Sequence, residues 1–156
     1  MSLNICEIFY SLQGESTYSG LPCIFIRLSG CNLRCSWCDT TYAWSNGKEM
    51  SIEQILQEIR KYPCSLVEIT GGEPLLQKRT IELMEILHQE KYRILLETNG
   101  TQSLQNVPDY VVKIVDVKCP GSGFGESFLM ENLNFLLPVD EIKFVLASRE
   151  DYMFAL

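Results

Sequence analysis

The feature that most constrains this chain is a regular switch between two hydrophobic periods. Residues 21–28 (Leu-Pro-Cys-Ile-Phe-Ile-Arg-Leu), 65–70, 93–97, 110–116 and 141–146 are short apolar runs of strand length. Between the first three lie helical patterns. Ser51 with Gln54 makes a capping box, and Ile52, Ile55, Leu56 and Ile59 then mark one apolar face. Residues 79–91 read as a second helix with Ile81, Met84 and Leu87 inward. Strand, helix, strand, helix, strand implies right-handed crossovers and an α/β fold on a parallel sheet, open or partly closed into a barrel. Residues 5–10 read as a short edge strand, 29–50 as a long loop, 119–127 as a surface loop and 128–139 as a connection. A last helix begins near Ser148.

A chain of 156 residues suits one domain, and no repeat or Pro/Ser-rich linker divides it, so a single domain over 1–156 is expected. Its 46% hydrophobic and 21% charged residues exclude a disordered or collagen-like chain. No apolar run approaches a membrane span, and Met1-Ser-Leu-Asn lacks the parts of a secretory signal, so the expected location is cytoplasmic. The net charge of −7 argues against nucleic acid or anionic membrane as partners.

In parallel α/β sheets, ligands gather at the carboxyl ends of the strands. Here the unusual residues fall at those ends in succession: Cys31 to Cys38, then Thr70-Gly71-Gly72-Glu73-Pro74, then Glu97-Thr98-Asn99-Gly100, then Asp116-Val117-Lys118. Four adjacent loops converging on one mouth point to an active site.

The seven cysteines are an odd number in a chain without a signal peptide, which argues against a disulfide framework. Cys31, Cys35 and Cys38 are spaced Cys-x3-Cys-x2-Cys, and close thiolates on one loop suit a soft metal centre. A four-iron cluster held by three thiolates keeps one iron open to a small molecule, whereas structural zinc needs four closed ligands. Cys6, Cys23, Cys64, Cys119 and His88 have no zinc-type spacing partner, so iron–sulfur is favoured and zinc stays open. His88 sits in the last turn of its helix, where it complements the dipole. The other four cysteines read as small hydrophobes.

With Trp37 before the last cysteine and Thr70-Gly-Gly-Glu-Pro on the next strand, the chain resembles the radical S-adenosylmethionine (SAM) family. That resemblance implies a partial, open parallel β/α barrel carrying a 4Fe-4S cluster whose free iron chelates SAM. Reductive cleavage of SAM then gives a radical that takes hydrogen from substrate. It also implies an electron donor of flavodoxin or ferredoxin type. Gly71 and Gly72 would let main chain approach the methionyl group, Trp37 offers a face for adenine, and Thr98, Asn99, Asp116 and Lys118 are candidate cofactor contacts.

The closer likeness is to the 7-carboxy-7-deazaguanine synthase family of queuosine biosynthesis. It rests on Phe9-Tyr-Ser-Leu-Gln-Gly-Glu-Ser16, on Arg27 and on Cys38-Asp39-Thr40. By that resemblance Leu12, Gln13, Gly14 and Thr70 touch a pterin, Arg27 pairs with its carboxylate, and the Thr40 hydroxyl helps hold Mg²⁺. The implied reaction is that of a carbon–nitrogen lyase: ring contraction of 6-carboxy-5,6,7,8-tetrahydropterin to 7-carboxy-7-deazaguanine with loss of ammonia. Family likeness also implies a homodimer, and members that continue past residues 140–145, so the chain reads as C-terminally short. Two rivals remain. A glycyl-radical-enzyme activating enzyme shares the cysteine spacing but has no need of Gln13-Gly14-Glu15 or Arg27. A non-catalytic zinc or electron-carrier module would require a fourth protein ligand.

Overall fold

The computed structural model describes residues 2–156. Seven strands form one open sheet in the order β3-β1-β2-β4-β5-β6-β7. They are β1 (Leu3–Leu12), β2 (Pro22–Leu28), β3 (Lys48–Met50), β4 (Leu66–Gly71), β5 (Arg93–Thr98), β6 (Val111–Asp116) and β7 (Glu141–Lys143). Strands β2, β4, β5, β6 and β7 run parallel, as the alternation of periods requires. Helices α1 (Ile52–Ile59) and α2 (Thr80–Gln89) make the crossovers, and α3 (Arg149–Ala155) follows the sheet. The architecture is a mixed α/β sheet that stops short of a closed barrel.

The amino-terminal part departs from expectation. Strand β1 is longer than residues 5–10, lies inside the sheet, and pairs antiparallel with β2. Residues 13–21 are too few for a parallel crossover, which takes a dozen or more, so the chain turns back as a hairpin. The edge place belongs to β3, inside the segment read as loop 29–50, and it pairs antiparallel with β1. Three residues are too few to show a period. The expected strand 141–146 is reduced to its first three residues, and α2 is a turn shorter than 79–91. The last helix is where Ser148 placed it: the Ser148 hydroxyl accepts from the Asp151 backbone N–H at 3.1 Å.

Period two divides the parallel strands into two faces. Ile24, Ile26 and Leu28, Val67 and Ile69, and Ile94 and Leu96 join Ile52, Ile55, Leu56 and Ile59 of α1 and Leu83, Met84 and Leu87 of α2 in the main core. At roughly 1.5–3 kcal/mol for each such side chain fully buried, this face carries most of the stability. The opposite, concave face has only a small apolar cluster of Tyr18, Cys23, Phe25, Leu66, Leu95 and Ile114. Its upper level is polar, with Arg27, Thr70, Glu97, Asp116 and Lys143 on successive strands.

Two sets of contacts tie β7 and the turn before it to the rest of the molecule. The loop after β1 crosses the concave face to β7: the Thr17 hydroxyl donates to Glu141 at 2.6 Å and Glu15 pairs with Lys143. On the opposite face, level with Val111 and Val115 of the main core, Lys113 of β6 forms a fully buried ion pair with Asp140 at 2.9 Å, just before β7.

Candidate active site

The concave face opens into a cavity of about 400 Å³ at the carboxyl ends of the parallel strands. Cys31, Cys35 and Cys38 line it, whereas Cys6, Cys23, Cys64 and Cys119 do not. Gly30, at φ 99°, turns the chain out of β2 into the cysteine loop. A β-carbon on Gly72 would lie 2.3 Å from the Gly30 carbonyl oxygen and 2.7 Å from Cys31 Cβ. A β-carbon on Gly71 would lie 2.4 Å from the Leu28 oxygen. The paired glycines therefore allow the end of β4 to lie flush against the cysteine loop. The Gly72 N–H donates to Leu28 O at 3.1 Å and the Glu73 N–H to Gly30 O at 2.8 Å.

Glu73 is fully buried and outside the cavity lining. It accepts from Leu75 N at 2.9 Å, Asn99 N at 2.8 Å and the Thr98 hydroxyl at 2.9 Å. Burial still pushes its carboxyl up to about 7. Glu73 thus joins the turn after β4 to the turn after β5. Thr98 serves first as its partner, although it also lines the cavity. The Asn99 amide donates to Asn32 at 3.3 Å, fastening the same turn to the cysteine loop.

Trp37 lines the cavity and rests on loop 119–123, where a β-carbon on Gly121 would fall 2.7 Å from its ring. Asp151 of α3 holds that loop by accepting from Gly121 N at 2.8 Å. On the next strands the charges interlock. Lys118 pairs with Asp116 at 2.8 Å, and Lys143 with Glu97 at 2.5 Å. Glu97 in turn accepts from the Thr70 hydroxyl at 3.0 Å. Glu97 is half-buried, and although desolvation alone would raise its carboxyl, Lys143 and these hydrogen bonds outweigh that and hold it below the usual range. Asp116 Oδ1 is buried without a partner, an acceptor facing toward what the site would hold.

Arg27 lies across the opening from these acids. Its Nε donates to Glu7 at 2.8 Å, Glu7 also accepts from Tyr42 Oη at 2.8 Å, and the guanidinium stands over Phe9. Its terminal nitrogens have no partner among the described residues, which leaves a fork for a carboxylate. Gln13 and Gly14 line the same space. Leu12 does not, and its side chain is 63% exposed. Asp39 and Thr40 line the wall nearest Cys38, with the Thr40 hydroxyl donating to Asp39 at 2.7 Å.

The cavity therefore gathers Gln13, Gly14, Arg27, Trp37, Thr40, Thr70, Gly72, Thr98, Asn99, Asp116 and Lys118 with the three cysteines. His88 stays on the surface, stacked on Tyr110 at 3.8 Å. Glu15, Glu68, Glu97 and Lys143 also line the cavity, residues to which sequence reasoning gave no role of their own. The signal for Glu68 was an acid at a strand position otherwise flanked by Val67 and Ile69.

The donor set fits an iron–sulfur cluster. All seven thiols are free, and only the three on one loop reach the cavity.

Comparison with known proteins agrees. The family model of the radical SAM superfamily matches residues 25–119. A 7-carboxy-7-deazaguanine synthase from Koribacter versatilis is 57% identical over 155 residues, 98% of this chain and 69% of that protein. One from Chlorobaculum tepidum is 44% identical, with 98% and 71% covered. The crystal structure of QueE from Escherichia coli superposes with a TM-score of 0.87 at 28% identity, covering 99% of this chain and 76% of that one. With the thiol loop, the paired glycines and the arginine fork in one cavity, the chain belongs to the radical SAM superfamily and, within it, to the 7-carboxy-7-deazaguanine synthases.

Proposed function

We propose that this chain acts as a carbon–nitrogen lyase on 6-carboxy-5,6,7,8-tetrahydropterin, contracting its ring to 7-carboxy-7-deazaguanine with loss of ammonia. The observation that carries the reading is one cavity holding three thiols on one wall and a partly free guanidinium on another. At about 400 Å³ it suits a small molecule better than the glycine loop of a large partner protein.

Cys31, Cys35 and Cys38 would hold the 4Fe-4S cluster. Trp37, Gly72, Thr98, Asn99, Asp116 and Lys118 would form the SAM side. Bound there, cluster and SAM supply a hydrogen-abstracting radical, and Mg²⁺ supplies Lewis-acid stabilisation at the substrate carboxylate. Arg27 binds and orients that carboxylate, with Glu7 and Phe9 fixing the plane of the guanidinium. Thr40 and Asp39 offer hard oxygen donors beside it, which suit Mg²⁺. Thr70 is aimed by Glu97, while Gln13 and Gly14 cover the ring from the loop after β1. The Leu12 side chain points elsewhere, so any share it has falls to its main chain.

The reading includes an electron donor of flavodoxin or ferredoxin type and a second copy of the chain. For the latter, Val139, Ile142, Met153 and Phe154 offer exposed apolar surface. A cytoplasmic location agrees with seven unpaired thiols, and no helix is long and apolar enough to cross a membrane.

The test is electron paramagnetic resonance of anaerobically reconstituted, dithionite-reduced protein with and without SAM, followed by product analysis. The reading expects a reduced 4Fe-4S signal that shifts on adding SAM, and 7-carboxy-7-deazaguanine from the pterin. One zinc per chain and no paramagnetic centre would overturn it.

A further inference from the structure

The roles above leave Glu68 without a task. It lies on the concave face of β4, 3% exposed, at the floor of the cavity and one pleat below Thr70. Its strand neighbours at that level are Phe25 and Leu95, both apolar. Its one hydrogen-bond donor among the described residues is the Gln13 amide, which gives an N–H to Oε2. That amide is itself oriented, because Gln13 Oε1 accepts from Glu15 N at 3.2 Å. Lys143, the nearby cation, is already bound to Glu97 and Glu15. Burial, with the charge of Glu97, pushes the Glu68 carboxyl up to about 8. A buried acid with one neutral partner and no cation is a standing cost to the fold. Packing gives no reason for it.

A ligand would supply the reason if it presented two parallel donors. Before a ligand binds, the carboxyl keeps its proton near neutral pH; two ligand donors would favour the ionised form, which is acceptor-only, with lone pairs enough on Oε2 for both Gln13 and a second donor. The 2-amino-4-oxopyrimidine edge of a pterin presents N3–H and an amino N–H side by side, the donor pair that guanidinium also offers to carboxylates. Position agrees as well. Arg27 pairs in register with Thr70, and Glu68 lies two residues earlier on the adjacent strand and the same face. From the ordinary strand spacing and rise, that diagonal is about 8 Å. The Arg27 side chain leans toward Glu7 of β1, away from β4, which sets the guanidinium farther from the Glu68 carboxyl than that backbone diagonal, as a ring with a hydrogen bond at each end requires. Held by its carboxylate on Arg27, the ring would lay its donor edge on Glu68.

We propose that Glu68 is a specificity residue that reads the 2-amino-4-oxo edge of the substrate ring, with Gln13 as the residue that positions its carboxyl. The proposal rests on the pterin reading of the substrate.

The test is equilibrium binding to the SAM-loaded, anaerobic holoenzyme of two unreactive ligands, oxidised 6-carboxypterin and 6-carboxylumazine. Neither has a hydrogen at C6 to lose. The lumazine carries an oxo group in place of the 2-amino group, so its edge offers one donor and one acceptor. Wild-type protein should prefer the pterin by ~100-fold, the worth of one charge-assisted hydrogen bond and one avoided repulsion. Glu68→Gln places one acceptor and one donor at the same spot, and should bring the two ligands to parity or invert the order. An unchanged preference in the variant, or equal weakening toward both ligands, would overturn the proposal. Should the variant fail to fold, wild-type protein with 2-dimethylamino-6-carboxypterin decides instead. Weakening of at least ~10-fold supports a read donor, and unchanged affinity refutes it. Wild-type protein that answers to SAM but binds neither ring would sink the pterin reading itself, and the proposal with it.

Discussion

Single residues set the chemistry here by lying at positions where the fold tolerates them poorly. Glu68 is the acid that β4 would otherwise lack, and its carboxyl is raised from the ordinary 4.5 to about 8, chiefly by burial. Between those values the folded chain keeps a proton that the unfolded chain has released. Its stabilising contribution is therefore complete below about 4.5 and lost as pH rises through about 8. The groups facing it are Gln13, Glu15, Glu97 and Lys143. Thermal unfolding followed against pH should show stability declining across that window. In Glu68→Gln the slope should flatten by up to ~1.4 kcal/mol per pH unit. A residual slope belongs to Glu73, raised to about 7. Gly72 is the opposite case, the one residue type its position accepts. Gly72→Ala forces a methyl to 2.3 Å from Gly30 O, so it should cost roughly 1–3 kcal/mol in urea unfolding and lower the iron bound per chain.

At the scale of elements, the parallel strands and their helices were legible because each obeys a single period. Ile52, Ile55, Leu56 and Ile59 are buried as a helical stripe must be. Strand β1 was read only over residues 5–10 and as an edge, and β3 was not read at all, for the opposite reason. The far end of β1, at Tyr10, Ser11 and Leu12, is exposed, and β3 is three residues long. β1 takes its partner β2 from the hairpin, and β3 reaches β1 from far along the chain, a tertiary fact that no local pattern carries. Within the site, the cysteines, the glycine pair and Arg27 stood out by type and spacing. Glu97 and Lys143 did not, because an acid or a lysine at a strand end usually means solvent. The join of β6 to β7 offers a test at this scale. Asp140 accepts from Lys113 N and Leu137 N, each at 2.8 Å, besides the ammonium. Lys113→Met therefore leaves the carboxylate two partners. Asp140→Ala leaves a buried ammonium with only Val111 O at 3.4 Å. Loss of one partner of a buried pair costs roughly 3–5 kcal/mol, and Asp140→Ala should fall at the upper end with Lys113→Met below it, as urea unfolding would measure.

For the molecule as a whole, the stabilising core and the reactive cavity occupy opposite faces of one sheet. Neither apolar cluster contains Cys31, Cys35 or Cys38. This is unlike a zinc finger, whose metal binding is its folding free energy. Stripping the cluster with a chelator should leave the far-ultraviolet circular dichroism in place, while the fluorescence of Trp37 and Trp44 in the site loop changes. Coincident loss of both signals would mean that metal and fold are one equilibrium.

The loop that runs from β1 over the concave face to β7 has a consequence for traffic. Its grip on the far end of the sheet is the Thr17–Glu141 hydrogen bonds and the Glu15–Lys143 pair. These are a clasp, unlike strand ladders, and the clasp lies at the doorway to Gln13 and Gly14. Undoing it, with the packing of Tyr18 on the concave cluster and its bond from Arg93, breaks side-chain contacts alone, while every rung of the sheet stays joined. A ring-shaped guest could then enter sideways under a drawbridge, and the wall that holds the thiols would never have to move.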